Sequence, residues 1–352
     1  MDYQSQAKQW PKAYKPLSMR AQFRTQDEDF DVTEISDRKL KDTGPHLYLF
    51  IEKKGANTQW LARQLANHAK IDLKDIGYAG LKDRHAVTRQ WFSIPAEKRI
   101  PDVSTLFNKD EFRLLSQGFY GVKLKRGNLG GNRFSITLRQ VEGNQDEINN
   151  RLSLIRDQGV PNYFGEQRFG RNYDNIVQGE ALIVSGKRPR NRQKASMYLS
   201  AVRSFLFNEM LAQRVREQTW TSPLKGEVFG FKGSLRGFKQ ENTSAEKQRW
   251  RDQIIHPTCA LWGKGESLSE LELQNLEEDI AETYPTLSQG IAKQGLKQER
   301  RITRLLVPDL SWQWQNDQTL TLTFSLGSGY FATSILRELG DVQVASSHEH
   351  EE

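Results

Sequence analysis

The chain has 352 residues, enough for two domains and a sizeable apolar core. Hydrophobic residues make up 36% of it, no apolar run approaches the roughly 18 residues that cross a bilayer, and the opening MDYQSQAKQWPKAYK lacks the apolar stretch of a secretory signal, so a soluble, cytoplasmic protein is expected. The single cysteine, Cys259, excludes an internal disulfide, no Cys/His cluster has zinc-site spacing, and the net charge of +7 points either to a polyanionic partner or to a solvated basic surface.

Before Asp27 there are five Lys or Arg against one acid. Residues 57–71 predict a helix, with Asn57 as N-cap and Trp60, Leu61, Leu65 and His68 at helical spacing. Ile76 to Leu81 reads as a strand, as does the β-branched and aromatic run from Ala86 to Ile94. Residues 101–140 read as short strands and glycine turns, with Phe134, Ile136 and Leu138 alternating along one of them. Basic clusters follow at KLKRG (123–127), KRPRNRQK (187–194) and Arg300–Arg301; Tyr163, Phe164 and Phe169, interleaved with Arg168 and Arg171, suit RNA, whose bases stack on rings and guanidinium planes.

Ser196 to Val215 predicts a long helix, residues 226–238 a strand and turn stretch, residues 268–284 an acidic helix, and residues 319–324 (TLTLTF) a strand. The tail after Leu339 is polar enough to fray. The change in texture suggests a first domain from 1 to about 160, a second from 161 to 307, and the first resumed from 308 to 352.

The stretch GYAGLKDRHAVTRQ, residues 77–90, sets one carboxylate, Asp83, in the loop between two predicted strands and among Lys82, Arg84 and Arg89, cations that favour its ionised form. From the residues alone, Asp83 is a nucleophile or base, a turn residue, or half of a surface ion pair. His85 beside it reads as structural or RNA-facing. Phe134 reads as core on its alternation, and Asn132, after Gly130 and Gly131, as a turn residue.

Gly80, Lys82, Asp83, Ala86, Thr88 and Gln90 form a G-x-K-D-x-x-A-x-T-x-Q pattern that resembles the signature of the TruD family of transfer RNA pseudouridine synthases. FRTQDEDFDVTE (23–34) is similar to the family's first motif through Glu28, Asp29, Phe30, Val32 and Glu34, with Arg24 where lysine is usual and Asp27 where proline is usual. GNRFSITLR (131–139), PNYFGEQRFG (161–170) and GSGYFATSILREL (327–339) resemble three further motifs.

The resemblance implies an α+β fold: a pseudouridine synthase catalytic domain with a mixed or antiparallel sheet, residues 1–160 and 308–352, interrupted by an inserted α+β domain at 161–307. It further implies isomerisation of a uridine in tRNA, at position 13, with Asp83 as nucleophile and with no metal, cofactor or obligatory protein partner. Phe30, Asn132 and Phe331 would contact the target nucleotide, and Phe134 would line its pocket. Arg24 would give Asp83 electrostatic support without serving as a proton donor. Two other readings stay open at this stage: a metal-assisted RNA phosphodiesterase with Asp83 and His85 as ligands, and a tRNA-binding module without chemistry.

Overall fold

Alternation of apolar and polar residues in GNRFSITLRQVE builds a strand whose buried positions include Phe134, Ile136 and Leu138. In the computed structural model, which describes residues 2–96, 106–107, 111–186 and 191–345, this strand lies within a ten-stranded sheet. The chain forms two compact units, one of residues 17–152, 307–328 and 339–352, the other of residues 1–16, 153–306 and 329–338.

The first unit contains the large sheet. Its strands in chain order are β1 (Arg20–Phe23), β2 (Phe30–Ile35), β3 (His46–Lys54), β4 (Gly77–Tyr78), β5 (Val87–Pro95), β6 (Phe112–Tyr120) and β7 (Gly131–Glu142), followed by Ser311–Asn316, Thr319–Leu326 and Asp341–Val344. The spatial order is 311–316, 319–326, β7, β2, β5, β3, β6, with β1 paired to β7 and to 341–344, and β4 paired to β5. The β2–β5 pair and the β1 pair with 341–344 are parallel and the others antiparallel, so the sheet is mixed. Register sets Phe134 opposite Phe324, Ile136 opposite Leu322 and Leu138 opposite Leu320, and all six are buried.

One helix, Thr58–Ala69, packs Leu61, Ala62, Leu65 and Ala66 against Leu47, Leu49, Ile51, Phe92 and Ile94 of the sheet. Asn57 caps it, accepting from the Trp60 amide at 2.7 Å. Trp60 and His68 are exposed, because the buried stripe runs through Thr58, Leu61, Leu65 and the two alanines and leaves Trp60 on the other side of the helix. The strand expected over 76–81 is only two residues long, since the chain leaves the sheet at Ala79 to form the Asp83 loop. The tail does not fray at Leu339: residues 341–344 pair in parallel with β1, a backbone ladder that polar side chains do not prevent.

The second unit is built around Arg192–Arg216, a helix longer than the expected 196–215, whose Val202, Phe205, Leu206, Met210 and Leu211 are fully buried. Helices Asp174–Ser185, Leu271–Thr283 and Pro285–Lys293 and a four-stranded sheet (237–239, 228–230, 256–261, 299–302) belong to the same unit. Residues 1–16 and 329–338 belong to this packing unit, although sequence texture groups them with the first domain: Tyr3, Ala7 and Trp10 enter its core, and Phe331 packs against it. Phe169 and Tyr163, read as stacking surfaces, are core residues too, with Phe169 stacked on Tyr173 at 5.3 Å. Among the described residues no helix is long and apolar enough to cross a membrane.

Gly131 opens β7 at φ +144°, and a Cβ there would lie 2.5 Å from the carbonyl oxygen of Leu326. Gly131→Ala is expected to destabilise the protein by about 1–3 kcal/mol, through backbone strain and a forced shift of the neighbouring strand. A urea midpoint equal to that of the unsubstituted protein would show that the close approach relaxes without cost.

Candidate active site

Asp83 sits on the loop from Ala79 to Ala86, which hydrogen bonds hold in place of a regular ladder. Buried Gln90 on β5 donates through Nε2 to the Gly80 carbonyl at 3.1 Å and accepts through Oε1 from Thr58 Oγ1 at 2.8 Å. Thr58 Oγ1 in turn accepts from the Lys82 amide at 2.9 Å. The buried Lys53 Nζ, at the end of β3, donates to the carbonyls of Asp83 (2.9 Å) and Ala56. The Gly127 amide donates to the Ala79 carbonyl at 2.7 Å.

The cation facing the Asp83 carboxylate comes from 59 residues upstream. Arg24 Nη2 donates to Asp83 Oδ2 at 3.0 Å, with the arginine side chain 11% exposed and the aspartate 32%. Oδ1 is left without a hydrogen bond among the described residues. Arg24 follows β1 directly at φ +61°, a conformation uncommon for a side-chain-bearing residue, and its guanidinium lies 4.3 Å from the Phe30 ring centroid and 5.2 Å from that of Phe23. The turn between Arg24 and Phe30 is fixed by buried Asp29, which accepts from the amides of Thr25 (3.1 Å) and Gln26 (3.2 Å) and pairs with Arg139 at 2.8 Å.

Phe30 and Phe134 stack at 6.1 Å, and Phe134 stacks on Phe324 at 5.4 Å. Both predicted phenylalanines are buried in this ladder of rings, so Phe134 has the core role that its alternation indicated. Asn132, opposite Glu34 in the register, accepts through Oδ1 from Lys82 Nζ. Glu34 is buried, with Oε2 accepting from the Trp91 amide at 3.4 Å. Burial pushes the Glu34 carboxyl above its ordinary value against the opposing charge of Lys82, and burial lowers Lys82 against Glu34 and Asp83.

The structure therefore brings Arg24, Phe30, Asp83, Asn132 and Phe134 into one connected set within the first unit. Phe331 belongs to the second unit, half-buried with its ring 6.0 Å from that of Phe164. Arg89, read as a cation beside Asp83, instead pairs with Asp31 (2.6 Å) and Glu52 (2.8 Å), because on β5 it lies opposite Glu52 of β3. Sequence reading missed Lys53, Thr58 and Asp29 as supports. The one signal for Lys53 was its place at an inward position of an alternating strand.

Among the described residues no three of His, Cys, Asp and Glu converge as a metal-binding group, including around Asp83 and His85. Of the basic run 187–194, Lys187, Arg188 and Arg190 lie outside the described residues, while Arg192 and Lys194 are exposed at the start of the long helix. Arg300 and Arg301, read as a small basic cluster, are buried. An open cavity of about 610 Å³ in the second unit, lined by residues 233–237, 266, 268 and 298–300, contains none of the predicted site residues.

Burial lowers Lys53 from an ordinary 10.5 to about 8. A neutral amine still has two hydrogens for its two carbonyl acceptors, so titration removes its charge and leaves its hold on the loop. Between these two values the unfolded chain binds the proton more tightly than the folded one. The penalty of burying the charge is therefore full below about pH 8 and fades as pH rises toward 10.5. Relative to Lys53→Met, the unsubstituted protein should gain stability from about pH 8 to 10, as read by urea denaturation. A difference independent of pH would show that Lys53 does not carry this shift.

A profile of the tRNA pseudouridine synthase D (TruD) family matches residues 15–188 and 189–339. The chain is 40% identical over 333 residues to the tRNA pseudouridine synthase D of Hydrogenovibrio crunogenus, covering 94% of this chain and 96% of the relative. It is 42% identical over 333 residues to that of Nitrosococcus oceani, covering 94% and 93%. A crystal structure from Methanosarcina mazei assigned to tRNA pseudouridine synthase D shares the fold at a TM-score of 0.74 and 20% identity, over 95% of this chain and 96% of that one. With both halves of the chain matched and the relatives aligned along nearly their whole length, the chain belongs to the tRNA pseudouridine synthase D (TruD) family of isomerases.

Proposed function

We propose that this chain isomerises a uridine of tRNA to pseudouridine, at position 13 as the resemblance implies, with Asp83 as the nucleophile. One observation carries the assignment: a part-exposed carboxylate on a loop pinned by buried hydrogen bonds, with one oxygen engaged by Arg24 and the other open. The reaction breaks the bond between ribose C1′ and uracil N1, turns the base and joins C5 to C1′; C5 loses its proton, and N1, freed of the ribose, takes one up. Reactant and product are isomers, so the chemistry needs a nucleophile and a site that retains the freed base.

Arg24 holds Asp83 in position and remains a cation throughout, so proton transfer falls to another group or to water. Phe30, packed against that guanidinium, forms an apolar wall for the base. Asn132, steadied by Lys82, presents an amide to it. The resemblance also assigns Phe331, a residue of the second unit, to the nucleotide. The target base has to leave its stack to reach the carboxylate, which costs a few kcal/mol that contacts to the RNA backbone offset. The division into a catalytic domain (1–160, 308–352) and an inserted domain (161–307) belongs to the same proposal.

Tritium release from C5-labelled uridine in tRNA, with a chelator present, is expected for the unsubstituted protein. Asp83→Asn keeps the shape of the side chain and should lower release by at least about a thousandfold, with tRNA affinity and melting temperature nearly unchanged. Near-normal release by Asp83→Asn would remove the nucleophile assignment. Cut RNA instead of tritium release would point to a phosphodiesterase, and binding without either to a module without chemistry.

A further inference from the structure

Strand Glu299–Ile302 carries two successive arginines, both buried, and the period of a strand turns them to opposite faces. Arg300 meets Glu277 at 2.8 Å and bonds Thr258 Oγ1 at 2.9 Å. Arg301 meets no carboxylate among the described residues. Its Nε and Nη2 donate to the backbone oxygen (3.4 Å) and Oδ1 (2.6 Å) of Asn162, and Nη2 also to the carbonyl of Gly329 (3.1 Å). Nη1 is left without a hydrogen-bond partner among the described residues.

A second unmatched guanidinium lies beside it. Arg168 donates through Nη1 to Ser200 Oγ at 3.2 Å, and its Nε is buried without a partner. Arg301 and Arg168 lie 4.1 Å and 5.3 Å from the centroid of the same ring, Phe164. Burial lowers both arginines, Arg301 to about 10, and the Arg168 charge adds to the effect on Arg301.

Two cations set around one ring, served only by neutral acceptors, carry a desolvation cost that no protein carboxylate offsets. A bound anion would offset it, and guanidinium forks match the oxygens of a phosphate. The surroundings suit a nucleotide phosphate in particular. Gly329, at φ +82°, turns its carbonyl to Arg301; Tyr330 lies 5.4 Å from the guanidinium; and Phe331 packs on Phe164. Rings beside a phosphate grip are how single-stranded RNA segments are held.

We propose that Arg168 and Arg301, set around Phe164, bind a backbone phosphodiester of the tRNA substrate. This rests on the tRNA reading above. To test it, tRNA affinity is measured over a salt series for the unsubstituted protein, Arg168→Gln, Arg301→Gln, Arg301→Lys and the double glutamine variant, with a melting curve for each. Each glutamine variant is expected to bind roughly tenfold or more weakly. The slope of log affinity against log salt should fall by about 0.7–0.9, the share of one phosphate, and by no more in the double variant. Arg301→Lys, a charge without a fork, should recover the slope better than the affinity.

Should Arg301→Gln fold poorly, Arg168→Gln carries the test, since that side chain makes one hydrogen bond to a serine. Unchanged affinity and slope in a stably folded Arg168→Gln, with normal tRNA binding and turnover by the unsubstituted protein, overturns this site alone. Absence of tRNA binding by the unsubstituted protein sinks the tRNA reading and this site with it. A melting temperature raised by inorganic phosphate only where both arginines are present, together with unaltered tRNA affinity in the variants, would assign the site to a free anion and overturn the phosphodiester.

Discussion

The candidate site depends on a buried amide. The Asp83 loop has neither helix nor ladder to fix it, and Gln90 supplies what they would have supplied: one donor for the Gly80 carbonyl and one acceptor for Thr58, whose hydroxyl receives the Lys82 amide. A polar chain of this kind is costly to leave half made, which restricts the loop to one arrangement. Under the proposed function this restriction serves the chemistry, since displacing a reacting group by about an ångström can cost a hundredfold in rate. Gln90 and Lys82 of the motif thereby have mechanical roles, and Thr58, outside the motif, belongs with them.

Around that loop the charges are arranged by burial. Arg24 is a permanent cation held against two rings and shares its charge with Asp83. Lys53 and Lys82 are desolvated, so their charges are weakly held, Lys53 titrating at about 8. Glu34, buried opposite Asn132, is shifted toward its neutral form by the same desolvation. Arg24 therefore gives constant electrostatic support, while the lysines anchor the loop and its neighbour Asn132 through hydrogen bonds.

Local pattern was enough for elements whose packing is local. The alternation in residues 131–142 and 319–326 and the capped helix after Asn57 were legible because period and cap chemistry determine them. The Asp83 loop was legible for the same reason, as a polar break between apolar runs. Its charge partners were not. Arg89, six residues away, is drawn by strand register to Asp31 and Glu52, and Arg24, 59 residues away, is brought in by the turn that Asp29 organises. Only the family resemblance pointed to Arg24. The parallel pairing of residues 341–344 with β1 likewise rests on backbone hydrogen bonds to a strand at the other end of the chain, which side-chain polarity does not report.

Charge clusters in a sequence proved a poor guide to charged surfaces for a related reason. Arg300 and Arg301 are adjacent in the chain, yet neither forms part of a basic exterior, because a strand sends consecutive side chains to opposite faces. Arg300, like Arg214 beside Glu227 at 2.8 Å, is neutralised within the protein and has no charge to spare for a partner. Formal net charge counts matched and unmatched arginines alike, although a matched pair contributes almost nothing to the field outside. The cations that bear on recognition are those for which folding provides no carboxylate, and in the second unit the identity of Arg168 and Arg301 as such cations follows only from the hydrogen-bond accounting of the folded chain.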